Sequence, residues 1–494
     1  MKSIFLREQE RYSKNALKDL FECNSEKIEK LIKKLKSYGI LKLVKNNDNQ
    51  KDLSDLYNED IQIIDDYLNE SDYLYVFTYV GIIILEEFIL KCYPKYISES
   101  KKPETEFKMV LKVLEKYNDK KQTVQIYEEY DSKGSLNILS IMIFLLHDYY
   151  ESGVYNNLID IFEINGDGEI LWDKTINETF TFFSNKRPFY PDLITKKHID
   201  NDYDYFKRLH ECILTDCSNR LKRASLLDAF DLEEVSLFDG DLADFGETEY
   251  VLYKLTQEIN IQFNTRKQRL LKCMYSFINY NDRINDVEYL NLFGTNNFNL
   301  LWEDICSEVM DNKLDVKLSE LNLPIDLNTR YNPNNTLKSL IEKPKWNGYE
   351  SEIDSSMYFT KIAERTLIPD TISVKKVENE YYFIIFDAKY YYIQFEKNKP
   401  LKNVPGIESI TKQYLYQLAY KDFIKDHNLK VHNCFLMPTE GNSVTKKGFV
   451  YMDILDSLGL EKIEIYLLPT EKMFKLYLKN EKFDINNLNI KTRV

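Results

Sequence analysis

The sequence predicts an α/β protein, of the α+β kind, with a small helical unit at its N-terminus. Three observations predict this class. Helical hydrophobic periodicity recurs along the chain, segments rich in Tyr, Val, Phe and Ile alternate with it, and the last third has the order helix, β-hairpin, helix, strand. At roughly 100–200 residues per domain, a chain of this length holds several domains. We divide it into residues 1–70, 71–200, 201–290 and 291–494.

Residues 1–45 have the pattern of a winged helix-turn-helix, and a polar linker follows over 46–71. A short helix over Asn15–Cys23 precedes a second helix from Ser25, which Gly39 ends before the strand-like ILKLV. The second helix has one apolar face, formed by Ile28, Leu31, Ile32 and Leu35. The segment has a net charge of +6. Its basic helix could contact DNA, contact a partner protein or only be solvated, and the residues leave these options open.

The region 71–200 has a mixed β/α pattern. Tyr73–Tyr96 predicts a β-hairpin that turns at Glu86 and Glu87 and is rich in strand-forming residues. Helices are predicted over Phe107–Tyr117 and Ile138–Tyr150. A second hairpin is predicted to join 159–164 to 169–172 through Gly-Asp-Gly, where glycine adopts positive φ at low cost.

Two long helical patterns dominate residues 201–290. Tyr203–Phe230 and Thr248–Ile278 contain no Gly or Pro, so each predicts one uninterrupted helix. Two consecutive long helices predict an antiparallel helical hairpin, which would form an arm before the last segment.

The charge of the chain is −14, but it is distributed unevenly. Residues 1–45 carry +6, residues 46–300 carry −19 and residues 301–494 carry −1. An acidic chain does not wrap nucleic acid with its whole surface, although a local nucleic-acid site stays possible. The dipeptide Gly-Lys does not occur, so the chain has no phosphate-binding P-loop of its own.

Cysteine usage and hydropathy predict a cytoplasmic protein without membrane contact. The seven cysteines have no zinc-site spacing, so we expect free thiols in a reducing compartment. The N-terminus lacks the apolar stretch of a signal peptide, and Tyr73–Leu85 is too short to span a bilayer.

The chemistry is predicted to lie at two adjacent strands of the last segment. Leu367–Val377 and Tyr381–Ala388 have strand patterns, and the turn VENE lies between them. Asp370 lies at the start of one strand, and Asp387 and Lys389 lie at the end of the other. Residues i and i+2 of a strand share a face, and antiparallel pairing would bring Asp370 close to Asp387. Two carboxylates beside one ammonium suit a hard divalent cation such as Mg²⁺.

Such a cation would polarise a phosphoryl oxygen and generate a nucleophilic hydroxide. Lys389 would orient or deprotonate the attacking water, or offset charge in the transition state, and the sequence leaves these roles open. A helix over Asn299–Met310 carries Glu303, and the helix over Ile407–Phe423 places Gln413 and Gln417 on one face. Gln413 could hydrogen-bond a phosphate or the nucleophilic water. With the apolar strand 433–437, this order is that of the αβββαβ core of PD-(D/E)XK nucleases.

The motifs resemble those of the LlaJI family of restriction endonucleases, which are McrC-like subunits of McrBC-type systems. The resemblance begins at about residue 70 and covers the rest of the chain. Its motifs are LWEDIC at 301–306, PD at 369–370, DAKYY at 387–391 and PGIESITKQYLYQLAYK at 405–421, with YVGIIILEEFILKCYPKY at 79–96 and GDGEILWDKTIN at 166–177 as weaker upstream matches.

The resemblance implies a Mg²⁺-dependent endodeoxyribonuclease of a restriction, anti-phage defence system. It implies that Asp370, Asp387 and the backbone carbonyl of Ala388 bind the metal, with Glu303 as a supporting acidic residue and further candidate ligand. Lys389 would be the catalytic lysine and Gln413 the glutamine of the following helix. Mn²⁺ could substitute for Mg²⁺. Many members of the wider superfamily have Glu where this chain has Asp387, which leaves the number of metal ions open.

The resemblance also implies partners. Double-stranded DNA would be the substrate, and an McrB-like AAA+ GTPase would carry the nucleotide, so GTP would bind only through that subunit. Residues 71–200 would dock on it, and two nuclease domains would dimerise on DNA to cut both strands. Two alternatives are a non-catalytic adaptor that docks on and stimulates the GTPase, and a stand-alone site-specific nuclease that recognises its site through the N-terminal segment.

Overall fold

The structure is a computed structural model, and it describes residues 2–45, 73–85, 87–128, 138–200, 204–224, 226–284, 291–321, 323, 331–349, 358–377 and 379–488. The predicted linker over 46–71 lies outside these residues. The chain forms two compact units, one built from 84–89 and 131–293 and the other from 2–83, 90–130 and 294–494. Both helices and sheets are present, which confirms the predicted α/β class. The division into four domains stays a prediction.

The helices and strands are numbered in chain order. The helices are α1 (Lys14–Phe21), α2 (Ser25–Ser37), α3 (Glu104–Glu128), α4 (Ile138–Ser152), α5 (Trp172–Glu178), α6 (Tyr205–Arg223), α7 (Thr248–Ile261), α8 (Thr265–Ile284), α9 (Phe298–Val309), α10 (Ile407–Ala419), α11 (Lys421–Asp426) and α12 (Thr470–Leu478). The strands are β1 (Lys2–Arg7), β2 (Arg11–Tyr12), β3 (Leu41–Lys45), β4 (Tyr73–Phe77), β5 (Val80–Leu85), β6 (Phe88–Tyr93), β7 (Leu158–Ile164), β8 (Glu169–Ile170), β9 (Phe182–Ser184), β10 (Arg187–Phe189), β11 (Ile194–Asp200), β12 (Asn291–Thr295), β13 (Lys345–Tyr349), β14 (Tyr358–Ile362), β15 (Thr371–Val377), β16 (Glu380–Ala388), β17 (Lys430–Thr439), β18 (Thr445–Val450) and β19 (Ile463–Pro469).

The N-terminal segment has the predicted order of helix, helix and strand. Ser13 caps α1 through the Ala16 amide at 3.1 Å, and Asn24 caps α2 through the Lys27 amide at 2.8 Å. Three residues, 22–24, separate the two helices. The predicted apolar face of α2 is buried. Strands β2, β4 and β3 form a three-stranded sheet in that order.

The hairpin predicted over 73–96 is only partly correct. Strands β5 and β6 are neighbours in a sheet with the order β1-β6-β5-β12, whereas β4 pairs with β2 and β3. Thr78 lies between β4 and β5. Its amide donates to the Ile40 carbonyl at 2.9 Å, and its hydroxyl donates to the Gly39 carbonyl at 3.1 Å. These hydrogen bonds hold the end of β4 against the N-terminal segment.

The second predicted hairpin, from 159–164 to 169–172, is wrong. Strand β11 lies between β7 and β8, in the order β7-β11-β8, and Trp172 begins α5. Gly168 serves this packing, because a Cβ atom there would lie 2.2 Å from the Lys196 carbonyl oxygen. The lack of a side chain at Gly168 therefore permits the close approach of β11. This residue does not form the tip of a hairpin.

The long helices also differ from the prediction. The pattern over 203–230 gives α6, which ends at Arg223, and the pattern over 248–278 divides into α7 and α8. Asn264 starts α8 by accepting a hydrogen bond from the Lys267 amide at 3.1 Å, so a cap interrupts the pattern without Gly or Pro. Helices α7 and α8 pack against each other, while α6 and α8 each pack against α4. The helical hairpin is thus α7–α8.

The last segment is built on a five-stranded sheet with the order β15-β16-β17-β19-β18. Strands β15 and β16 are antiparallel as predicted, β16, β17 and β19 are parallel, and β18 is antiparallel to β19. A core cluster packs Ile372, Phe383 and Ile385 against Tyr420 and Phe423 of the α10–α11 region. The helix predicted over 407–423 is interrupted at Tyr420, between α10 and α11.

All seven cysteines are free thiols, as predicted. Among the described residues, we find no helix whose length and hydropathy would let it cross a membrane.

Candidate active site

The paired ends of β15 and β16 bring the two predicted aspartates together. Thr371 pairs with Phe386, so Asp370 and Asp387 are the next positions on the two strands. Their carboxyl groups lie close enough for the charge of Asp370 to raise the pKa of Asp387. Asp370 Oδ2 also accepts a hydrogen bond from the Ala388 amide at 3.2 Å. The structure thus places two carboxyl groups side by side at one sheet edge.

Lys389 completes this group from the end of β16. Its Nζ lies 3.0 Å from Asp387 Oδ2, and its side chain is 20% exposed, against 4% for Asp387. The backbone amide of Lys389 donates to the Leu436 carbonyl of β17 at 2.9 Å. Because this bond continues the pairing of β16 with β17 past Ala388, it fixes the backbone that carries the lysine.

Glu303 approaches the same group from α9. The neighbouring Trp302 is fully buried and donates from Nε1 to the Leu436 carbonyl at 3.0 Å, so α9 is anchored to the oxygen that also accepts from Lys389. Burial, followed by the negative charge of Asp370, raises the pKa of Glu303 to about 7, and Lys389 opposes this rise. The structure therefore brings Glu303 within electrostatic reach of Asp370 and Lys389.

The electrostatics of the site show a shortage of positive charge. Burial and then Asp370 hold the pKa of the Asp387 carboxyl well above its usual range, against the effect of Lys389. Burial would lower the pKa of Lys389, but the charges of Asp387, Asp370 and Glu303 outweigh it and raise that pKa. In the part of the chain that the structure describes, three acidic groups thus share one ammonium, and their repulsion contributes to the raised pKa values of Asp387 and Glu303.

These residues fit a hard divalent cation that keeps much of its water. No three His, Cys, Asp or Glu side chains in the described ranges are already arranged as a metal cage. Mg²⁺ does not require such a cage, because it usually takes one or two carboxylates and several waters. Asp370 and Asp387 would supply the two carboxylates. The ligand roles of the Ala388 carbonyl and Glu303 stay predictions.

The two glutamines of α10 have different surroundings. Gln413 is fully buried, and its Nε2 donates to the Ile385 carbonyl of β16 at 2.9 Å. Its Oε1 has no hydrogen-bond partner among the described residues. Gln417 Oε1 accepts from Asn433 Nδ2 at 2.7 Å and from the Glu461 amide at 3.1 Å. Gln417 is therefore structural. Gln413, by contrast, has a buried acceptor oxygen, and it contacts β16 at Ile385, two residues before Asp387.

Sequence reasoning did not assign Tyr416 or Trp302 to the site. Tyr416 follows Gln413 by one helical turn and is buried. Burial, and then the charges of Asp387, Asp370 and Glu303, hold its pKa above the usual range, so it lies within electrostatic reach of all three carboxyl groups. Tyr416 follows Gln413 at i+3, and this spacing was the sequence signal that could have placed it near the site. For Trp302, only its position next to Glu303 gave a signal.

The family profile described as LlaJI restriction endonuclease matches residues 79–468, which is most of the chain. The chain belongs to the LlaJI restriction endonuclease family. The matched range of this LlaJI-family chain contains every residue discussed above as a candidate for catalysis or metal binding.

One relative of this LlaJI-family protein is the "Type II restriction enzyme BsuMI component YdjA" of Bacillus subtilis (strain 168). It is 28% identical over 425 residues, which are 84% of this chain and 83% of the relative. Two solved structures from Thermococcus gammatolerans also resemble the chain. The refined half-complex of McrB AAA+ hexamers with bound McrC shows 13% identity and a TM-score of 0.36, over 97% of this chain and 100% of that chain. The McrBC complex shows 15% identity and a TM-score of 0.20, over 56% and 80%. These structural likenesses are weak, and the family assignment comes from the sequence match.

Proposed function

We propose that this LlaJI-family protein is a Mg²⁺-dependent endodeoxyribonuclease of the PD-(D/E)XK type that hydrolyses phosphodiester bonds in double-stranded DNA. The observation that carries the proposal is the convergence of Asp370, Asp387 and Lys389 at the paired ends of β15 and β16. Family membership supports restriction as the setting of this activity.

Asp370 and Asp387 would hold the metal, with the Ala388 carbonyl and Glu303 as further ligands. When bound, Mg²⁺ would supply positive charge that polarises a phosphoryl oxygen and acidifies a water molecule. Mn²⁺, which also accepts oxygen ligands, could substitute. The site's shortage of positive charge gives the physical reason why a divalent cation would bind there.

The chain's own residues would then orient the reactants. Lys389 is paired with Asp387, and sharing that carboxylate with a metal would let its ammonium contact a phosphate oxygen or the attacking water. Gln413 holds α10 against β16, and its Oε1, which no described residue contacts by a hydrogen bond, could accept one from that water. The burial of Asp387 strengthens each of these electrostatic contacts.

We further propose that the protein is the nuclease subunit of an McrBC/LlaJI-type anti-phage restriction system, acting in the cytoplasm with an AAA+ GTPase. Two facts support a division of labour between subunits. This chain has no Gly-Lys dipeptide and therefore no P-loop, and its relative is named as one component of a restriction enzyme. GTP would bind to the partner only. Dimerisation of two nuclease domains on DNA would allow both strands to be cut.

The test is plasmid cleavage in Mg²⁺ by the purified chain, alone and with its AAA+ partner and GTP. We expect cleavage to need all components and to be lost when Asp387→Ala and Lys389→Ala are combined. Sequence-specific cutting by the chain alone would contradict the two-subunit proposal. Stimulation of the GTPase without cleavage under any condition would instead identify an adaptor.

A further inference from the structure

The N-terminal segment has the connections of a winged helix. Helix α1, a three-residue turn and α2 are followed by β3 and β4, and the sheet order β2-β4-β3 places β4 in the centre. In helix-turn-helix proteins the second helix enters the major groove of DNA. Helix α2 holds the position of that second helix, and it packs through its buried apolar face.

The opposite face of α2 is basic. The helix contains five lysines and two glutamates. Lys30, Lys33 and Lys36 are exposed. Both glutamates already lie next to lysines, since Glu26 is 2.9 Å from Lys30 and Glu29 is 2.8 Å from Lys14 of α1. The two glutamates offset two of these charges, and the helix keeps a net charge of +3, five lysines minus two glutamates.

The composition of this face favours DNA over a protein surface. The cores of protein interfaces are enriched in aromatic residues and depleted in lysine. The large apolar residues of α2 are buried, and its exposed positions carry Lys, Glu and Ser. Phosphate contacts need flexible cationic side chains and no apolar core.

We infer that helix α2 binds the phosphate backbone of double-stranded DNA and so holds the duplex for the active site. This inference depends on the proposed function only in identifying the bound duplex as the substrate. DNA contact is thereby favoured over contact with a partner protein and over a helix that is only solvated, the other two options that the sequence left open.

A buried contact connects this winged-helix segment to the active-site strand. Glu8, which follows β1, is buried, and its Oε2 accepts from the Tyr390 hydroxyl at 2.5 Å and from the Lys95 amide at 3.2 Å. Tyr390 directly follows Lys389. On the other side, the Gln9 amide donates to the Phe77 carbonyl of β4 at 2.9 Å. Two hydrogen bonds thus connect β4 of the winged helix to the residue after the catalytic lysine.

The test measures DNA binding by the full chain carrying Asp387→Asn, which keeps the duplex uncut. Lys30→Gln, Lys33→Gln and Lys36→Gln are combined in one variant. The matched control combines Lys472→Gln, Lys475→Gln and Lys479→Gln, three exposed lysines of or just after α12, one of which also pairs with a glutamate four residues away. Fluorescence anisotropy with a short duplex gives the affinity between about 50 and 200 mM salt.

We expect the α2 variant to bind about tenfold or more weakly, with a slope of log affinity against log salt that falls by about one per lysine. The control should keep the parent slope. Equal slopes for the α2 variant and its parent would overturn the inference. Thermal unfolding checks that the α2 variant is folded. If the triple variant does not fold, Lys33→Gln alone replaces it and should show a smaller fall in the salt slope. A wild-type chain that binds DNA through α2 but never cuts it, even in Mg²⁺ with the AAA+ partner and GTP, would contradict the proposed function while leaving this inference intact.

Discussion

Asp370 accepts a hydrogen bond from the backbone amide of Ala388 at 3.2 Å. The bond joins the start of one strand to the end of the next, and it holds the Asp370 carboxylate beside that of Asp387. The geometry of the site is therefore set by the register of β15 on β16. A slip of one residue would turn Asp387 to the opposite face of the sheet.

Asp370→Asn should keep this hydrogen bond, because the amide oxygen can still accept it, but should remove one negative charge. We expect Mg²⁺ affinity to fall by more than about tenfold, since changes at outer-shell residues alone cost about 10–100-fold. Without metal, the variant should unfold at a higher temperature than the wild type because repulsion on Asp387 is relieved. Calorimetric titration and thermal unfolding measure the two effects. Unchanged Mg²⁺ affinity would exclude Asp370 as a ligand.

Lys389→Met should reduce the cleavage rate by about 10²–10⁴-fold, the range for a residue that acts on a proton in the transition state. Single-turnover cleavage of a plasmid measures the effect. Lys389→Arg, which keeps a positive charge, separates a role in charge balance from proton transfer. Recovery of most of the rate in the arginine variant would show that Lys389 does not deprotonate the water.

Glu303 predicts a pH dependence of stability. Its pKa is raised from 4.5 to about 7 by burial and by Asp370, so the metal-free fold favours the protonated form. The stability of the wild type should therefore fall as pH rises from about 4.5 to about 7, relative to Glu303→Gln. Thermal unfolding in EDTA across this range measures the difference between the two proteins.

Mg²⁺ provides the control for that experiment, because a bound cation stabilises the ionised carboxylate. We expect Mg²⁺ at pH 8 to raise the unfolding temperature of the wild type more than that of Glu303→Gln. A difference between the two proteins that does not change with pH would assign Glu303 a packing role only.

Tyr390→Phe should remove the hydrogen bond that connects the N-terminal winged-helix segment, through Glu8, to the end of β16. The buried Glu8 carboxylate would lose a donor, and the cost should be about 1–3 kcal/mol of unfolding free energy. Tyr392→Phe is the matched control, since Tyr392 is more exposed and its hydroxyl pairs with Ser98 at 3.1 Å near the surface. Chemical denaturation measures both variants. Equal losses of unfolding free energy in the two variants would show that the hydrogen bond from Tyr390 to Glu8 contributes no more than the exposed hydrogen bond of Tyr392.

Local patterns predicted those elements whose partners are adjacent in the chain. The helix pair α1–α2 and the strands β15 and β16 follow from apolar periodicity and a short turn, so the sequence could place Asp370 next to Asp387. The interruption between α7 and α8 was missed because it depends on the Asn264 cap and involves neither Gly nor Pro.

Non-local contacts account for the other differences. No local pattern shows that β11 inserts between β7 and β8, because the close approach of Lys196 to Gly168 joins residues that are far apart in sequence. In the candidate site, the reach of Glu303 depends on Trp302, whose partner Leu436 lies 134 residues further along. The buried contact of Glu8 with Tyr390 spans 382 residues.

The rate of supercoiled-plasmid cleavage with the AAA+ partner and GTP, measured in Mg²⁺ and in EDTA, shows whether the chain is a metal-dependent nuclease that uses Asp387. It is compared for the wild type, Asp387→Asn and Asp453→Asn, which removes an exposed aspartate outside the site. We predict equal Mg²⁺-dependent cleavage by the wild type and Asp453→Asn and none by Asp387→Asn. Cleavage by Asp387→Asn at the wild-type rate, or cleavage by the wild type that persists in EDTA, would contradict the account.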